Sequence, residues 1–286
     1  MRSSWLASLI VPAALVATLS GCEDNSKEQE QAAGYVLDKL VPVANEDAAQ
    51  VRRGLPEGAK KLGEIVDSDP GANLVALQKA IRGARASVKD LDIAKSTFFT
   101  FVDTTGIALR SEADPDLLAQ KSVLSSFPSL KKALEPSAGL VEAWGEMQEM
   151  RGVRTGPDTQ WVAAHPVKDK EGQVKGMFVT GWSFRRFALH LEEMAKRELL
   201  DRAAREKQKK VPIVYVFLVR DGKAYGAPVT PDINAQAVEG LDLANKTQSG
   251  PFRGTIEITN RSYGVAAQRM PDLGEGTILS VIASSV

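Results

Sequence analysis

The sequence predicts an α+β chain in which N-terminal helices lead into two antiparallel-sheet domains joined by a helix. Three observations carry this. Apolar residues at three- and four-residue steps mark helices in the first third of the chain. The period then changes to strand, tight turn, strand. That hairpin pattern recurs after a charged helix, so that "WVAAHPVKDKEGQVKG" in the middle has a worn copy in "GVAAQRMPDLGEG" near the end. Hairpins flanking a helical or irregular insert pack the insert across one sheet face, which separates helices from strands instead of alternating them.

Residues 1–21 come first. Arg2 precedes the apolar run "WLASLIVPAALVATL", and small residues follow in "SGC", the layout of a secretory signal. The run is shorter than the roughly 20 residues that span a bilayer. Leu19-Ser20-Gly21-Cys22 resembles the lipobox of bacterial lipoproteins, which implies that Cys22 carries palmitate-type acyl chains and holds the protein on a membrane. Each buried methylene contributes about 0.8 kcal/mol to such an anchor. Glu23 stands where an aspartate often signals inner-membrane retention, so the expected place is the cell envelope, facing the periplasm or exterior, with the outer membrane favoured. Cys22 is the one cysteine of the chain, so neither an internal disulfide nor a cysteine-based zinc site is expected. Lysine plus arginine equals aspartate plus glutamate at 36 each, a balance that excludes the basic footprint of a nucleic-acid partner.

Residues 22–34, "CEDNSKEQEQAAG", are polar and without apolar periodicity, and read as a lipidated tether. Residues 35–95 form a helical lead-in. Val36, Leu37 and Leu40 begin an apolar face, while Pro42 and Gly54-Leu55-Pro56 predict kinked or separate helices. Leu74, Leu77, Ile81, Ala84, Val88 and Leu91 then repeat on one face. The first sheet domain, 96–187, opens with "STFFTFVDTTGIALRS", two strands around Asp103-Thr104-Thr105-Gly106. Residues 112–156 are mixed, with short helical patterns at Leu117–Leu124 and Leu130–Leu134. A second hairpin around "KDKEGQ" closes the domain. In the connecting helix, 188–211, Phe187, Leu191 and Met194 share a face, and "REKQKK" reads as solvated surface because acids are interleaved with the bases. The second, smaller domain, 212–286, opens with "IVYVFLVRDGKAYGAP". Val102 to Gly106 matches Val219 to Gly222, and Val162-Ala163-Ala164 matches Val265-Ala266-Ala267 at an offset that holds from Asp169 to Asp272.

"FVDTTGIALRS" followed by "WVAAHPVKDKEGQVKGMFVTGW" resembles the Cache sensor domains, extracytoplasmic relatives of PAS domains. Two copies behind one lead-in are similar to a double Cache module over roughly Gly71 to Val286. The resemblance implies a long N-terminal helix and small-molecule sensing. Cache modules usually sit between two membrane helices and feed a kinase, cyclase or chemotaxis domain. This chain runs to "ILSVIASSV" without a second apolar span, so the expectation is action through a separate membrane-bound signalling or envelope protein.

Catalytic patterns are missing from the sequence. It contains no His-Glu-x-x-His, phosphate loop or Gly-x-Ser-x-Gly. Ser129-Leu-Lys-Lys132 matches Ser-x-x-Lys without its companion elements, and "GEGTIL" lacks the third glycine and the strand-to-helix context of a dinucleotide loop. No enzyme, cofactor or metal is expected, since His165 and His190 are separated by a hairpin and have no cysteine partners. Trp161, Ala163 and His165 alternate on one strand and so share a face. There Trp161 could cover an apolar or cationic group, Ala163 would leave room, and His165 would change charge near about pH 6.5. The competing reading is an ordinary core with His165 at a polar strand end. Arg110, Arg261 and Tyr263 are further ligand-binding candidates, and Asp103 and Asp221 read as turn formers. The amino-acid-binding branch of the double Cache family carries a Tyr, Arg, Trp, Tyr, Asp set of which "DTQWVAAH" keeps the tryptophan, so no amino-acid specificity is implied. The expected function is a lipid-anchored extracytoplasmic lipoprotein that senses or binds a small molecule. The alternative is a structural or docking lipoprotein of the envelope with no ligand. A cavity beside Trp161 and His165 favours the first, and a filled core the second.

Overall fold

A single helix, α1 (Cys22–Ile65), opens the computed structural model, which describes residues 22–66, 69–147 and 158–284. The predicted signal, 1–21, lies outside the described residues. Two expectations are corrected here. The segment read as a tether is helical, with Ala32 and Ala33 buried. Pro42 and Pro56 lie inside one continuous helix instead of dividing it. Each interior proline forfeits a backbone hydrogen bond and costs about 3 kcal/mol. Against that stands an unbroken buried stripe, Val36, Leu37, Leu40, Ala44, Ala48, Val51, Leu55, Ala59 and Leu62, in which each large apolar side chain contributes about 1.5–3 kcal/mol.

The lead-in continues with α2 (Leu74–Ala86), capped by the Asn73 side chain on the Ala76 amide, and the short α3 (Lys89–Ile93). Of the predicted stripe, Leu77, Ile81, Ala84, Val88 and Leu91 are buried, whereas Leu74 is exposed at the first turn. The first sheet comprises β1 (Phe98–Asp103), β2 (Ala108–Ser111), β3 (Val141–Met147), β4 (Asp158–Lys168) and β5 (Val174–Ser183) in the order β2-β1-β5-β4-β3, all antiparallel. Between β2 and β3 lie α4 (Val123–Ser126) and a 3-10 turn, Pro128–Leu134. Helix α5 (Phe184–Glu206) starts at a Ser183 cap and ends at a left-handed Lys207. The second sheet comprises β6 (Ile213–Arg220), β7 (Lys223–Gly226), β8 (Phe252–Ile258), β9 (Arg261–Arg269) and β10 (Ile278–Ser284) in the order β7-β6-β10-β9-β8, with α6 (Asp232–Glu239) and α7 (Leu243–Lys246) as its insert. Each sheet thus holds one strand more than the two hairpins that the sequence displays, β3 and β8, both at a sheet edge.

The strand register sorts the first sheet into two faces. Phe99, Phe101, Trp161, Ala163, Phe178 and Trp182 join the α1 stripe in one core. Phe98, Val102, Val162, Ala164, Met177 and Val179 point the other way and are covered by Val123, Phe127, Leu130 and Ala133 of the insert. The second sheet repeats the arrangement, with its own insert core around Phe217, Val238, Leu243 and Val265. Helix α1 runs across both sheets. It sits so close that a Cβ on Gly63 would overlap the Lys168 carbonyl, and one on Gly264 would overlap the Gln29 and Glu30 backbone.

Candidate functional site

On the α1 side of the first sheet, Trp161 is buried in a filled aromatic stack. Its ring lies 4.2 Å from that of Trp182, which in turn stacks on Phe187 at 4.4 Å. The indole Nε1 donates to Glu142 Oε2 at 3.0 Å. Glu142 is held in place by Arg52 of α1, whose Nε and Nη2 donate to its two oxygens at 2.6 and 2.9 Å. Every polar atom of this cluster is thus engaged within the protein, and the ring serves packing. His165 lies further along the same face at the mouth of an open cleft of about 490 Å³, beside Lys60, Glu64, Lys168 and Asp169. Its Nδ1 lies 3.1 Å from the Pro166 carbonyl. Burial holds the imidazole below its ordinary value, the Pro166 contact opposes that, and Lys168 adds to it.

The remaining predicted residues lie elsewhere. Arg110 on β2 pairs with Asp114 at 2.5 Å and Asp116 at 3.4 Å. Arg261 is exposed at the start of β9, and Tyr263 is buried in the insert core of the second sheet, 6.5 Å from Tyr215. The ligand-binding candidates Trp161, His165, Arg110, Arg261 and Tyr263 are thus spread over both sheets. They lie on three strands, β2, β4 and β9, and strand alternation had grouped Trp161 with His165. Asp103 is a turn former: its Oδ1 accepts from the Thr105 amide, the Thr105 hydroxyl and the Ile107 amide at 2.7–2.9 Å. Asp221 likewise sits in a turn, at φ 51° before Gly222 at φ 77°.

The opposite face of β4 carries two of the buried residues with polar atoms that find no hydrogen-bond partner among the described residues. Asp158 and Gln160 are both fully buried. Asp158 Oδ1 and both Oε1 and Nε2 of Gln160 have no hydrogen-bond partner among the described residues, although such an atom costs roughly 1–3 kcal/mol when buried alone. The two residues are i and i+2 on the strand and so share a face. Opposite them stand Met147 and Gly145 of β3, and Ser183 faces Gln160 across β5. Burial raises the Asp158 carboxyl above its ordinary value, while the Ser183 hydroxyl and Arg185 pull it back; the Arg185 amide is 3.4 Å from Oδ2. Between these two residues on the strand, Thr159 points to the other face and donates to the Tyr225 hydroxyl at 2.7 Å, joining the two sheet domains. Trp144 on β3 does the same, its Nε1 donating to the Leu273 carbonyl at 3.0 Å. One end of β3 and β4 therefore carries an unsatisfied polar pair on one face and contacts to the second domain on the other. Sequence reasoning passed over Asp158 and Gln160, yet a signal was there: they occupy the alternate positions that continue as Val162 and Ala164, a register otherwise apolar.

No family model and no curated protein matches the sequence. Solved structures match its fold. A domain of a sensory box/GGDEF family protein from Vibrio parahaemolyticus superposes with a TM-score of 0.55 at 13% identity, over 92% of this chain and 97% of that one. The sensor domain of the histidine kinase DctB from V. cholerae gives 0.51 at 13%, over 91% and 98%. An extracellular ligand binding receptor from Desulfohalobium retbaense gives 0.53 at 12% over 88% of this chain, which spans 40% of that receptor's length. The two five-stranded sheets behind one long helix have the Cache/PAS-like arrangement of these sensor domains.

Proposed function

We propose that the chain is an extracytoplasmic lipoprotein, anchored through acyl chains on Cys22, that binds a small molecule and passes occupancy to a separate membrane protein. The observation that carries the binding part is the pair Asp158 and Gln160, three of whose polar atoms are buried on the insert-facing side of the first sheet with no partner among the described residues. A buried carboxylate and amide at a strand end offer two acceptors and a donor in one place, which suits a small ligand bearing hydrogen-bond donors. The matched sensor domains support this reading through their fold alone. No catalytic step is assigned.

The test is a thermal-shift screen of the mature chain against a broad metabolite panel, together with mass spectrometry of any small molecule released on denaturation. A ligand whose stabilisation disappears in Gln160→Leu supports the reading. No shift with any compound and no co-purifying molecule would overturn it. For the anchor, Cys22→Ala should abolish metabolic labelling with palmitate and move the protein out of the membrane fraction. The filled stack around Trp161 favours a second reading, a docking lipoprotein of the envelope with no ligand, and this is the reading that a failed screen combined with a crosslinked envelope partner would leave standing.

A further inference from the structure

We propose that edge strand β3 is the mechanical link between the two sheets: its insert face bears on Gln160, and its other face moves the β9–β10 connection of the second domain through Trp144. As a route for ligand occupancy this rests on the reading of Asp158 and Gln160 as the binding pair. Strand register places Gly145 opposite Gln160 and Met147 opposite Asp158, so all four share the insert face. Gly145 is also where the insert comes close, since a Cβ there would overlap the Ser126 carbonyl. No side chain cushions that approach. A shift of the insert or of Gln160 therefore acts on the β3 backbone directly.

The neighbouring residue, Trp144, points the other way. Its Nε1 donates to the Leu273 carbonyl at 3.0 Å, and its ring fills the space at Gly274, where a Cβ would overlap the indole. Gly274 stands at φ 105°, which residues with a Cβ rarely adopt, so two constraints reserve the position for glycine. Arg220 of β6 closes the socket, its guanidinium 5.0 Å from the Trp144 ring and its Nη1 3.0 Å from Thr277 Oγ1. That hydroxyl donates to the same Leu273 carbonyl at 3.3 Å. The indole is thus built into the hydrogen bonds of the connection, 270–277, that joins β9 to β10. Two other contacts cross nearby, from Arg52 Nη2 to the Asp272 carbonyl at 2.6 Å and from Thr159 to Tyr225 at 2.7 Å. Their elements are more firmly held. Arg52 belongs to α1, which packs on both sheets, and Thr159 to β4, which is bonded by β3 on one side and β5 on the other. Among the described residues β3 is bonded on one side, to β4. The least constrained element responds first. Because Arg52 grips both oxygens of Glu142 near the start of β3, displacement falls on the later residues, where Trp144 and Gly145 lie.

Hydrogen exchange of the mature chain tests the link. The amides of 270–277 are compared with those of the Thr259-Asn260 turn at the other end of β9, the reference for a change in global stability. Gln160→Leu removes two polar atoms that lack partners among the described residues, and so tightens β3 against the insert. Exchange at 270–277 should then slow by about fivefold relative to the reference. With Trp144→Ala in the background, the same substitution should change the ratio by less than about twofold, the limit for sites that do not communicate. Trp144→Phe, which keeps a ring without the donor, takes the place of the alanine variant if that variant fails to fold by thermal melting, and should hold the response to about twofold or less. Asp158→Asn serves as a second site variant and should give the same Trp144-dependent slowing. No slowing at 270–277 in either site variant, or slowing that persists after Trp144 is replaced, overturns the inference. The metabolite screen is read separately: if it finds no ligand while the Trp144-dependent response holds, the ligand reading falls and the link stands.

Discussion

The two sheets share a strand order and differ in how they distribute bulk across it. At the register where the first sheet has Gln160-Trp161, the second has Tyr263-Gly264. In the second copy the backbone of α1 seats directly on Gly264, and the aromatic ring goes to the other face, where Tyr263 fills the insert core. In the first copy Trp161 lies between the sheet and α1, and the insert face receives Gln160, whose amide has no partner among the described residues. Closely packed interiors cannot hold a large side chain and a close backbone in the same place. Moving the bulk from one face to the other lets one topology become a solid support in one domain and leave a buried polar pair on the insert face of the other.

The comparison is tested first at its aromatic positions. Trp161→Ala should destabilise the chain by about 3–5 kcal/mol, because it empties the stack with Trp182 and Phe187 and leaves Glu142 without its indole donor. Urea unfolding would measure this, and a change under about 1 kcal/mol would mean that the ring is not the filler described. Tyr263→Gln makes the second copy resemble the first at this position. It should cost about 2–3 kcal/mol, from the lost aromatic burial. It should create no ligand response in the screen, since the second copy has no counterpart of buried Asp158. A smaller loss, about 1–3 kcal/mol, is expected for Gly264→Ala, where even one methyl group meets the Gln29 and Glu30 backbone. Protection of the α1 amides near Gln29 from hydrogen exchange should fall with it, and unchanged protection would show that α1 does not bear on this strand.

Much of the fold was legible because it repeats. The turns at Asp103 and Asp221 announce β1–β2 and β6–β7 through aspartate and glycine chemistry, and the paired Val-Ala-Ala phrases give β4 and β9. Edge strand β3 was missed although Val141, Ala143, Gly145 and Met147 alternate with Glu142, Trp144 and Glu146. Its outward side is polar or bonded to the second domain, so its composition looks like loop. The continuity of α1 through Pro42 and Pro56 was illegible for another reason: local propensity opposes it, and packing against two sheets outweighs the local cost. For the site, alternation correctly placed Trp161 and His165 on one face. Which face α1 would cover depends on contacts between residues more than a hundred positions apart, such as Gln29 and Gly264, and no local pattern reports those.

The smallest expected effect concerns the last pair in the same register, Asp158 and Arg261, which open β4 and β9. Arg261 is exposed, whereas Asp158 is fully buried with its carboxyl raised by desolvation. A raised value means that the folded state holds this proton more tightly than the unfolded chain does. The group's contribution to stability is then complete below the unfolded value of about 3.9 and is lost as pH rises through the higher folded value. At neutral pH the ionised carboxylate is a cost, sharpened by an Oδ1 without a partner among the described residues. Asp158→Asn removes the charge and keeps an acceptor for the Arg185 amide. It should therefore stabilise the ligand-free chain by on the order of 1 kcal/mol at neutral pH, and the gain should shrink to nothing once pH falls below about 3.9. Arg261→Gln, in the matching position, should show no such pH dependence because its side chain stays in water. Thermal unfolding of both variants across this range decides the matter: a difference between Asp158→Asn and wild type that stays constant with pH would mean the carboxyl is not desolvated, and the contrast between the two strand ends would fail.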